Sequence, residues 1–177
     1  PKGVGALYVR GVKPRVKPDG LFYGGGQERN IRSGTLNVPG IIGFGKAVEI
    51  SQKEMGAENK RFSEWSAMML DEFKKIGGVL NGHPKNRLAH NLNVYFSGIE
   101  GKSIINSVSK QIAISAGSAC TTQNVEPSHV LLALGLDEDT THYAIRIGIG
   151  RFNTIDEIQK AKDAICSSVQ SIKKIKI

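Results

Sequence analysis

The fold of this chain is decided by Tyr143-Ala144-Ile145-Arg146-Ile147-Gly148-Ile149, a short apolar run with several β-branched residues that predicts a strand. Two further strands are predicted at Asn91-Leu92-Asn93-Val94-Tyr95-Phe96 and Gln111-Ile112-Ala113-Ile114-Ser115. The predicted helices lie between and after these strands: Lys102 to Ser109, Pro127 to Gly135, and a last helix capped by Asn153 or Thr154. Because strands alternate with helices, the pattern predicts an α/β fold.

The first part of the chain has a different residue pattern. Gly5-Ala6-Leu7-Tyr8-Val9 predicts a buried strand, and the Pro- and Gly-rich segment from residue 13 to 26 predicts a loop. A long amphipathic helix is expected from Pro39 to Gly77-Gly78, with Gly56 as a possible kink. We therefore expect a boundary near Gly56 between a strand-rich remnant and the α/β unit.

The composition indicates a folded globular protein and excludes a disordered or fibrous one. Of its 177 residues 40% are hydrophobic and 23% are charged, and no apolar run is long enough to predict a membrane helix.

The formal net charge is +8, but the 6% of aromatic residues are not interleaved with the basic ones, so direct nucleic-acid binding is not expected. Two cysteines make no disulfide framework and favour a reduced intracellular protein. The four histidines lack ligand-like spacing, so no metal site is expected: His83, His90, His129 and His142.

One cysteine lies where a reactive thiol is plausible. Cys120 falls in a stretch of small and polar residues, Ser115 to Val125, between a predicted strand and a predicted helix. A reactive thiol needs such exposure, although a lone cysteine is more often a small buried hydrophobe. Cys166, on the apolar face of the last helix, is interpreted as a core residue.

The neighbours of Cys120 give a more specific signal, because four motifs follow one another over residues 1 to 154. They are Pro1-Lys2-Gly3-Val4-Gly5, Gly24-Gly25-Gly26-Gln27-Glu28 with Arg32-Ser33-Gly34-Thr35, Gly117-Ser118-Ala119-Cys120-Thr121 with Glu126-Pro127-Ser128-His129, and Arg146-Ile147-Gly148-Ile149-Gly150-Arg151-Phe152-Asn153-Thr154. In this order they resemble the motifs of NifS/IscS-like group I cysteine desulfurases.

The resemblance implies a role for three residues. Cys120 is expected to be the nucleophile that takes sulfur from bound cysteine and becomes a persulfide. Arg146 is expected to clamp the substrate carboxylate with its planar fork, the alternative being a structural ion pair at a strand edge. Thr35 is expected to reach the cofactor phosphate of the other subunit, the alternative being an N-cap before Pro39. Arg151 follows a glycine and could equally be structural, so it is not assigned to the substrate.

The resemblance also implies the architecture: the C-terminal small domain of a fold-type I pyridoxal-phosphate-dependent transferase plus the end of its large domain. Residues 1–55 would be the end of the large domain with a dimer-contact segment, and residues 56–177 the small α/β domain with the cysteine loop. The implied cofactor is pyridoxal 5'-phosphate. Its Schiff-base lysine would lie before Pro1, and Lys2 matches a second lysine of that motif, so this chain alone is expected to be inactive.

The implied partners are a second copy of the chain in a homodimer, L-cysteine as substrate, and an iron–sulfur scaffold or another sulfur acceptor, including those of tRNA thiolation. No nucleic acid is expected to bind directly and no membrane is involved. The implied compartment is the cytoplasm, or the mitochondrial matrix in a eukaryote. Two alternatives remain open: a selenocysteine lyase-like enzyme, and a non-catalytic sulfur-carrier or scaffold-binding module, against which the retained Arg146 argues.

Overall fold

The computed structural model describes residues 1–116 and 127–175. These residues form two compact units, Pro1–Gly56 and Ala57–Ile177.

The first unit contains little regular structure before its helix. The strand expected at residues 5–9 is wrong: the segment has no regular secondary structure, and Leu7 and Tyr8 are 74% and 89% exposed. A strand needs a partner for its backbone groups, and none of the described residues pairs with this segment. The loop expected from residue 13 to 26 is confirmed apart from one isolated parallel bridge between Phe22 and Arg32.

A long helix, α1, runs from Val38 to Lys75. Asn37 caps it, since its Oδ1 accepts a hydrogen bond from the amide of Gly40 at 3.1 Å, so Thr35 is not the cap. The helix continues through Gly56, the residue at which a kink was considered. Gly77, with φ of +86°, follows the end of α1 in the left-handed conformation typical of helix C-termini.

Four strands form one antiparallel sheet among the described residues. They are β1 (Gly78–Leu80), β2 (Asn91–Phe96), β3 (Ser115–Ala116) and β4 (Ala144–Gly148), in the order β1-β2-β4-β3. The expected strands at β2 and β4 are confirmed. The expected strand over residues 111–115 is mostly wrong, because only the two residues of β3 pair with β4. The three-residue strand β1 was not expected, since it is too short to show a periodic pattern.

The helices between and after the strands are α2 (Gly101–Val108), α3 (His129–Ala133), α4 (Glu138–Tyr143) and α5 (Ile155–Ile175). The helix α4, capped by Asp137, was not expected. For α5 the cap is Thr154: its Oγ1 accepts from the amide of Glu157 at 3.3 Å, and Glu157 Oε2 accepts from the amide of Thr154 at 2.9 Å. This reciprocal pair is a capping box.

The core of the second unit lies on one face of its sheet. Alternate residues of β2 are buried, and so are Ile145 and Ile147 of β4. Helices α1 and α5 contribute buried apolar side chains to the same cluster, and the ring of Phe73 packs edge-on against Phe96 with centroids 5.9 Å apart. Cys166 is half-buried and packs against this cluster, as its position in α5 indicated. The residues between the buried ones therefore point to the opposite face of the sheet.

Candidate active site

A row of polar side chains crosses the opposite face of the sheet, one from each strand or its end. Arg146 on β4 lies directly opposite Asn93 on β2 and directly opposite Ser115 on β3. The row extends past β1, where the amide of Asn81 donates to the carbonyl oxygen of Asn93 at 2.9 Å. We call Asn81, Asn93, Arg146 and Ser115 the polar row. Side chains directly opposite each other in antiparallel strands have Cβ atoms roughly 5 Å apart, so neighbours in the row can share a ligand.

Arg146 is the exposed charge of the polar row. Its strand is interior to the sheet, and no described residue forms an ion pair or a hydrogen bond with its side chain. The alternative of a structural ion pair at a strand edge therefore has no counterpart in the described part of the chain. A guanidinium fork without a protein partner is suited to bind a carboxylate with two parallel hydrogen bonds.

Strand β3 connects the polar row to the predicted nucleophile. Ser115 and Ala116 pair with Arg146 and Ile145, and Cys120 follows four residues after Ala116 in the sequence. Cys120 itself lies outside the described residues. The described part of the chain continues from Pro127. The next residue, Ser128, is buried, and its Oγ accepts a hydrogen bond from the amide of Leu131 at the start of α3.

The loop just before Thr35 is held in an uncommon backbone conformation. Three consecutive non-glycine residues, Glu28, Arg29 and Asn30, have φ of +52°, +59° and +64°. Each left-handed residue of this kind costs roughly 1–2 kcal/mol, a strain that tends to be retained at functional sites. The loop is closed by the side chain of Gln27, whose Oε1 accepts from the amide of Gly34 at 2.9 Å.

Thr35 lies in the first unit, directly after this closed loop, and is exposed. None of the described residues hydrogen-bonds to its hydroxyl, and the cap of α1 is Asn37. A hydroxyl without a protein partner in a glycine-rich loop fits one oxygen of a phosphate group, as the expected cofactor requires. Thr35 and Arg146 belong to different units, and Cys120 is not described, so the three predicted residues are not brought together within one described unit.

The connection after β4 is fixed by a cluster of charged residues in the second unit. The guanidinium of Arg151 donates to both carboxylate oxygens of Glu58, through Nε and through Nη2 at 3.1 Å. Arg61 donates to the backbone oxygen of Arg151 at 3.1 Å, and its guanidinium lies over the rings of Phe62 and Trp65. Hydrogen bonding to Arg151 is the main cause that lowers the pKa of the Glu58 carboxyl. Arg151, which the sequence did not assign to the substrate, is thus engaged in an ion pair with Glu58.

Three members of the polar row were missed by sequence reasoning: Asn81, Asn93 and Ser115. Asn91, Asn93 and Tyr95 alternate with buried residues along β2, and the sequence predicted only the strand. Which strand lies opposite Asn93 depends on the pairing of β2 with β4, and the sequence period does not specify strand order.

Two further classes of site have no support in residues 1–116 and 127–175. No group of three or more His, Cys, Asp or Glu side chains there is arranged to hold a metal ion. None of the helices described in those ranges combines the length and apolar character needed to cross a lipid bilayer.

Most of the sequence matches a known family model. Residues 1–161 match the model of class-V aminotransferases. The chain belongs to the class-V aminotransferase family. Among similar class-V sequences, the cysteine desulfurase IscS of Rickettsia africae is 47% identical and that of Ehrlichia chaffeensis 45% identical, each over 177 residues. Both alignments cover 99% of this chain and 43% of the relative, so the chain spans less than half the length of the curated proteins it matches.

Solved structures of NifS-like proteins have the same fold. A NifS-like protein that is 31% identical superposes with a TM-score of 0.71 over 90% of this chain and 40% of its own. A second NifS-like protein, from Rickettsia africae, gives a TM-score of 0.74 over 88% of this chain and 41% of its own, at 23% identity. The expected α/β fold, with the architecture of NifS-like proteins, is confirmed.

Proposed function

We propose that this class-V chain is the sulfur-accepting part of a cysteine desulfurase, in which Arg146 binds the carboxylate of L-cysteine and Cys120 takes its sulfur. The observation that carries the proposal is the position of Arg146. It is exposed, it has no partner among the described residues, and its strand is paired with β3, which leads into the cysteine segment. The names of the relatives, cysteine desulfurase IscS, agree with this chemistry.

The binding step depends on charge and shape. An ionised carboxylate only accepts hydrogen bonds, and the guanidinium of Arg146 presents several donors in one plane. A fork bound to the carboxylate fixes the distance and the orientation of the substrate with respect to the strand. Because β3 lies beside Arg146, a substrate held there is close to the point at which the chain enters the segment of Cys120.

The chemical step belongs to Cys120. Its thiolate forms a new S–S bond with the substrate sulfur, the C–S bond breaks, and the electron pair stays with the carbon skeleton, which takes a proton and leaves as alanine. Pyridoxal phosphate, when bound, supplies the electron sink that makes the substrate sulfur electrophilic. A thiolate is required because the thiol itself is a poor nucleophile.

The cofactor phosphate is assigned to the loop of Thr35. The hydroxyl of Thr35, which has no hydrogen-bond partner in the described part of the chain, and the closed, strained loop before it are suited to donate to a phosphate oxygen. We assign this loop to the partner subunit's cofactor in a homodimer, residues 1–55 to the end of the large domain, and residues 56–177 to the small domain. The persulfide on Cys120 is then passed to an iron–sulfur scaffold or another sulfur acceptor in the cytoplasm.

The proposal is tested on the intact protein loaded with cofactor. Mass spectrometry after incubation with L-cysteine should show one extra sulfur on the peptide that contains Cys120, with alanine released. Cys120→Ala should lose both, while Cys166→Ala should retain both. Persulfide and alanine formed at the wild-type rate by Cys120→Ala would contradict the assignment. Persulfide accepted from a donor protein without cofactor, and without alanine, would instead indicate a sulfur-carrier module.

Arg146 is tested by a conservative change. Arg146→Lys keeps the positive charge but loses the planar fork, so we expect a rise in KM for L-cysteine of roughly 10- to 100-fold, corresponding to the loss of a charge-assisted hydrogen bond. An unchanged KM would exclude Arg146 from carboxylate binding.

A further inference from the structure

We propose that Asn93 is a second binding residue for the substrate carboxylate, placed beside Arg146 and oriented by Asn81. The inference rests on the proposed function, because it assigns a further residue to the same carboxylate site. It is carried by the register of the sheet and by the hydrogen bond between the two asparagine side chains.

The register places Asn93 and Arg146 side by side. They are directly opposite partners in the antiparallel pairing of β2 with β4, so both side chains leave the sheet on the same face. Asn93 is half-buried whereas Arg146 is exposed. A carboxylate bound to the guanidinium fork is therefore within reach of the Asn93 side chain.

The hydrogen bonds define which end of the Asn93 amide is free. Asn81 Nδ2 donates to Asn93 Oδ1 at 2.7 Å, which uses the acceptor of Asn93. Its NH₂ group has two donors, and none of the described residues accepts from them. An amide group that turns its oxygen toward Asn81 presents its nitrogen on the other side. The polar row thus offers donors from two adjacent strands, which is the arrangement that an acceptor-only carboxylate requires.

Asn81 is the residue that holds this orientation. It is 5% exposed and is bonded at its backbone as well as at its side chain. Its amide donates to the carbonyl oxygen of Asn93 at 2.9 Å, and its own carbonyl oxygen accepts from Nη1 of Arg87 at 3.4 Å. With both backbone groups engaged, the side chain of Asn81 has little freedom to turn away from Asn93. Asn81 is therefore a positioning residue.

A purely structural role for the asparagine pair makes different predictions. In that case the pair would only satisfy the buried amide of Asn81 at the end of β1, and its loss would lower stability without regard to the chemistry of the ligand. A role in carboxylate binding instead predicts a defect that depends on whether the ligand has a carboxylate.

The test uses the intact, cofactor-loaded enzyme with four variants. Asn93→Ala removes the donors, and Asn93→Asp keeps an acceptor for Asn81 but replaces the NH₂ group with a negatively charged oxygen. Asn81→Ala removes the orienting bond. Asn91→Ala is the matched control, since Asn91 is on the same strand and the same face, opposite Gly148 and not Arg146. For each variant KM and kcat for L-cysteine are measured, with the inhibition constant of cysteamine, which has the amine and the thiol but no carboxylate.

We expect Asn93→Ala to raise KM for L-cysteine roughly 10- to 100-fold, as for a hydrogen bond to a charged group, with a smaller effect on kcat. Asn93→Asp should raise it further, Asn81→Ala less, and Asn91→Ala not at all. The inhibition constant of cysteamine should stay within about twofold of wild type. A wild-type KM in either Asn93 variant overturns the proposal. So does an equal rise for cysteamine, because it indicates general damage to the site.

A failure of the role proposed for Asn93 can be distinguished from a failure of the proposed desulfuration. Wild-type enzyme that releases no alanine from L-cysteine refutes desulfuration. In that case equilibrium dialysis with radiolabelled L-alanine still measures carboxylate binding, and Asn93→Ala should weaken it while Asn91→Ala should not. Equal binding by both variants overturns the role of Asn93 whatever the reaction.

Discussion

Arg151 binds both carboxylate oxygens of Glu58, a residue 93 positions earlier in the chain. The pair joins the connection that follows β4 to the helix α1 within the second unit. A bidentate pair of this kind is geometrically specific, because the guanidinium and the carboxylate must lie nearly in one plane. Arg61 adds a hydrogen bond to the backbone of Arg151 and stacks on two aromatic rings, so the connection is held at its backbone and at its side chain.

The first prediction concerns the pH dependence of this pair. Arg151 lowers the pKa of the Glu58 carboxyl in the folded state. The pair therefore stabilises the folded protein at pH values above the ordinary carboxyl pKa, and this stabilisation is lost as the pH falls through the lowered pKa. Glu58→Gln should therefore lower Tm by a few degrees at neutral pH, and the difference from wild type should shrink in acidic buffers. Thermal unfolding of the intact protein over a pH series measures both effects.

Glu64→Gln is the control for this prediction. Glu64 is exposed on the same helix, and no described residue forms an ion pair with it. Its replacement should leave Tm nearly unchanged at every pH. A constant difference between Glu58→Gln and wild type down to the most acidic buffer would contradict the linkage.

The second prediction concerns two glycines in helices. A Cβ at Gly101 would lie 2.6 Å from the carbonyl oxygen of Ala144, so Gly101→Ala must move α2 or β4 and should cost about 1 to 3 kcal/mol. A Cβ at Gly56 meets nothing within 4 Å, and Gly56→Ala should stabilise α1 by about 0.5 to 1 kcal/mol. Denaturant unfolding should give opposite signs for the two changes. Stabilisation by both changes would mean that the close approach at Gly101 relaxes at no cost, and destabilisation by both would contradict the prediction for Gly56.

The third prediction compares two phenylalanines. Phe73 is fully buried against Phe96, whereas Phe152 is 91% exposed. Phe73→Ala should lower the free energy of unfolding by about 3 to 5 kcal/mol, through lost burial and the cavity left behind. Phe152→Ala should change it by less than about 0.5 kcal/mol. Equal losses would show that Phe152 is buried in the intact protein.

The fourth prediction concerns Cys166. Burial, with a smaller contribution from Glu72, raises the pKa of its thiol, so less thiolate is present at neutral pH. Alkylation of Cys166 by iodoacetamide should be slower in the folded protein than in denaturant, as measured by mass spectrometry of its peptide. A folded rate equal to the denatured rate would show that the side chain is accessible and ionises normally.

The parts of the fold that the sequence predicted are those with a clear local signal. Strand β2 alternates, strand β4 is apolar, and α5 begins with a capping box at Thr154, so all three were expected near their observed bounds. The strand expected at residues 5–9 failed because an apolar pattern does not supply a pairing partner. The short elements β1 and α4 were missed because they have too few residues to show a period.

The candidate site was predictable to a similar extent. Arg146 was found because it stands in a recognisable motif, and its position on β4 followed from the strand pattern. Asn93 was not found, because its importance comes from the register with Arg146, a contact between residues far apart in the chain. Hydrogen bonds such as that between Asn81 and Asn93 depend on side-chain geometry, which no sequence period records.

The register of β2 on β4 has a consequence for the robustness of the site. Since side chains alternate along a strand, a slip of one residue would place Leu92 or Val94 beside Arg146 and would expose the core. Such a slip is opposed by every apolar contact on the buried face. The alignment of Asn93 with Arg146 therefore depends on the apolar packing on the buried face of the same strands. Substitutions that loosen this packing should weaken ligand binding before they unfold the protein.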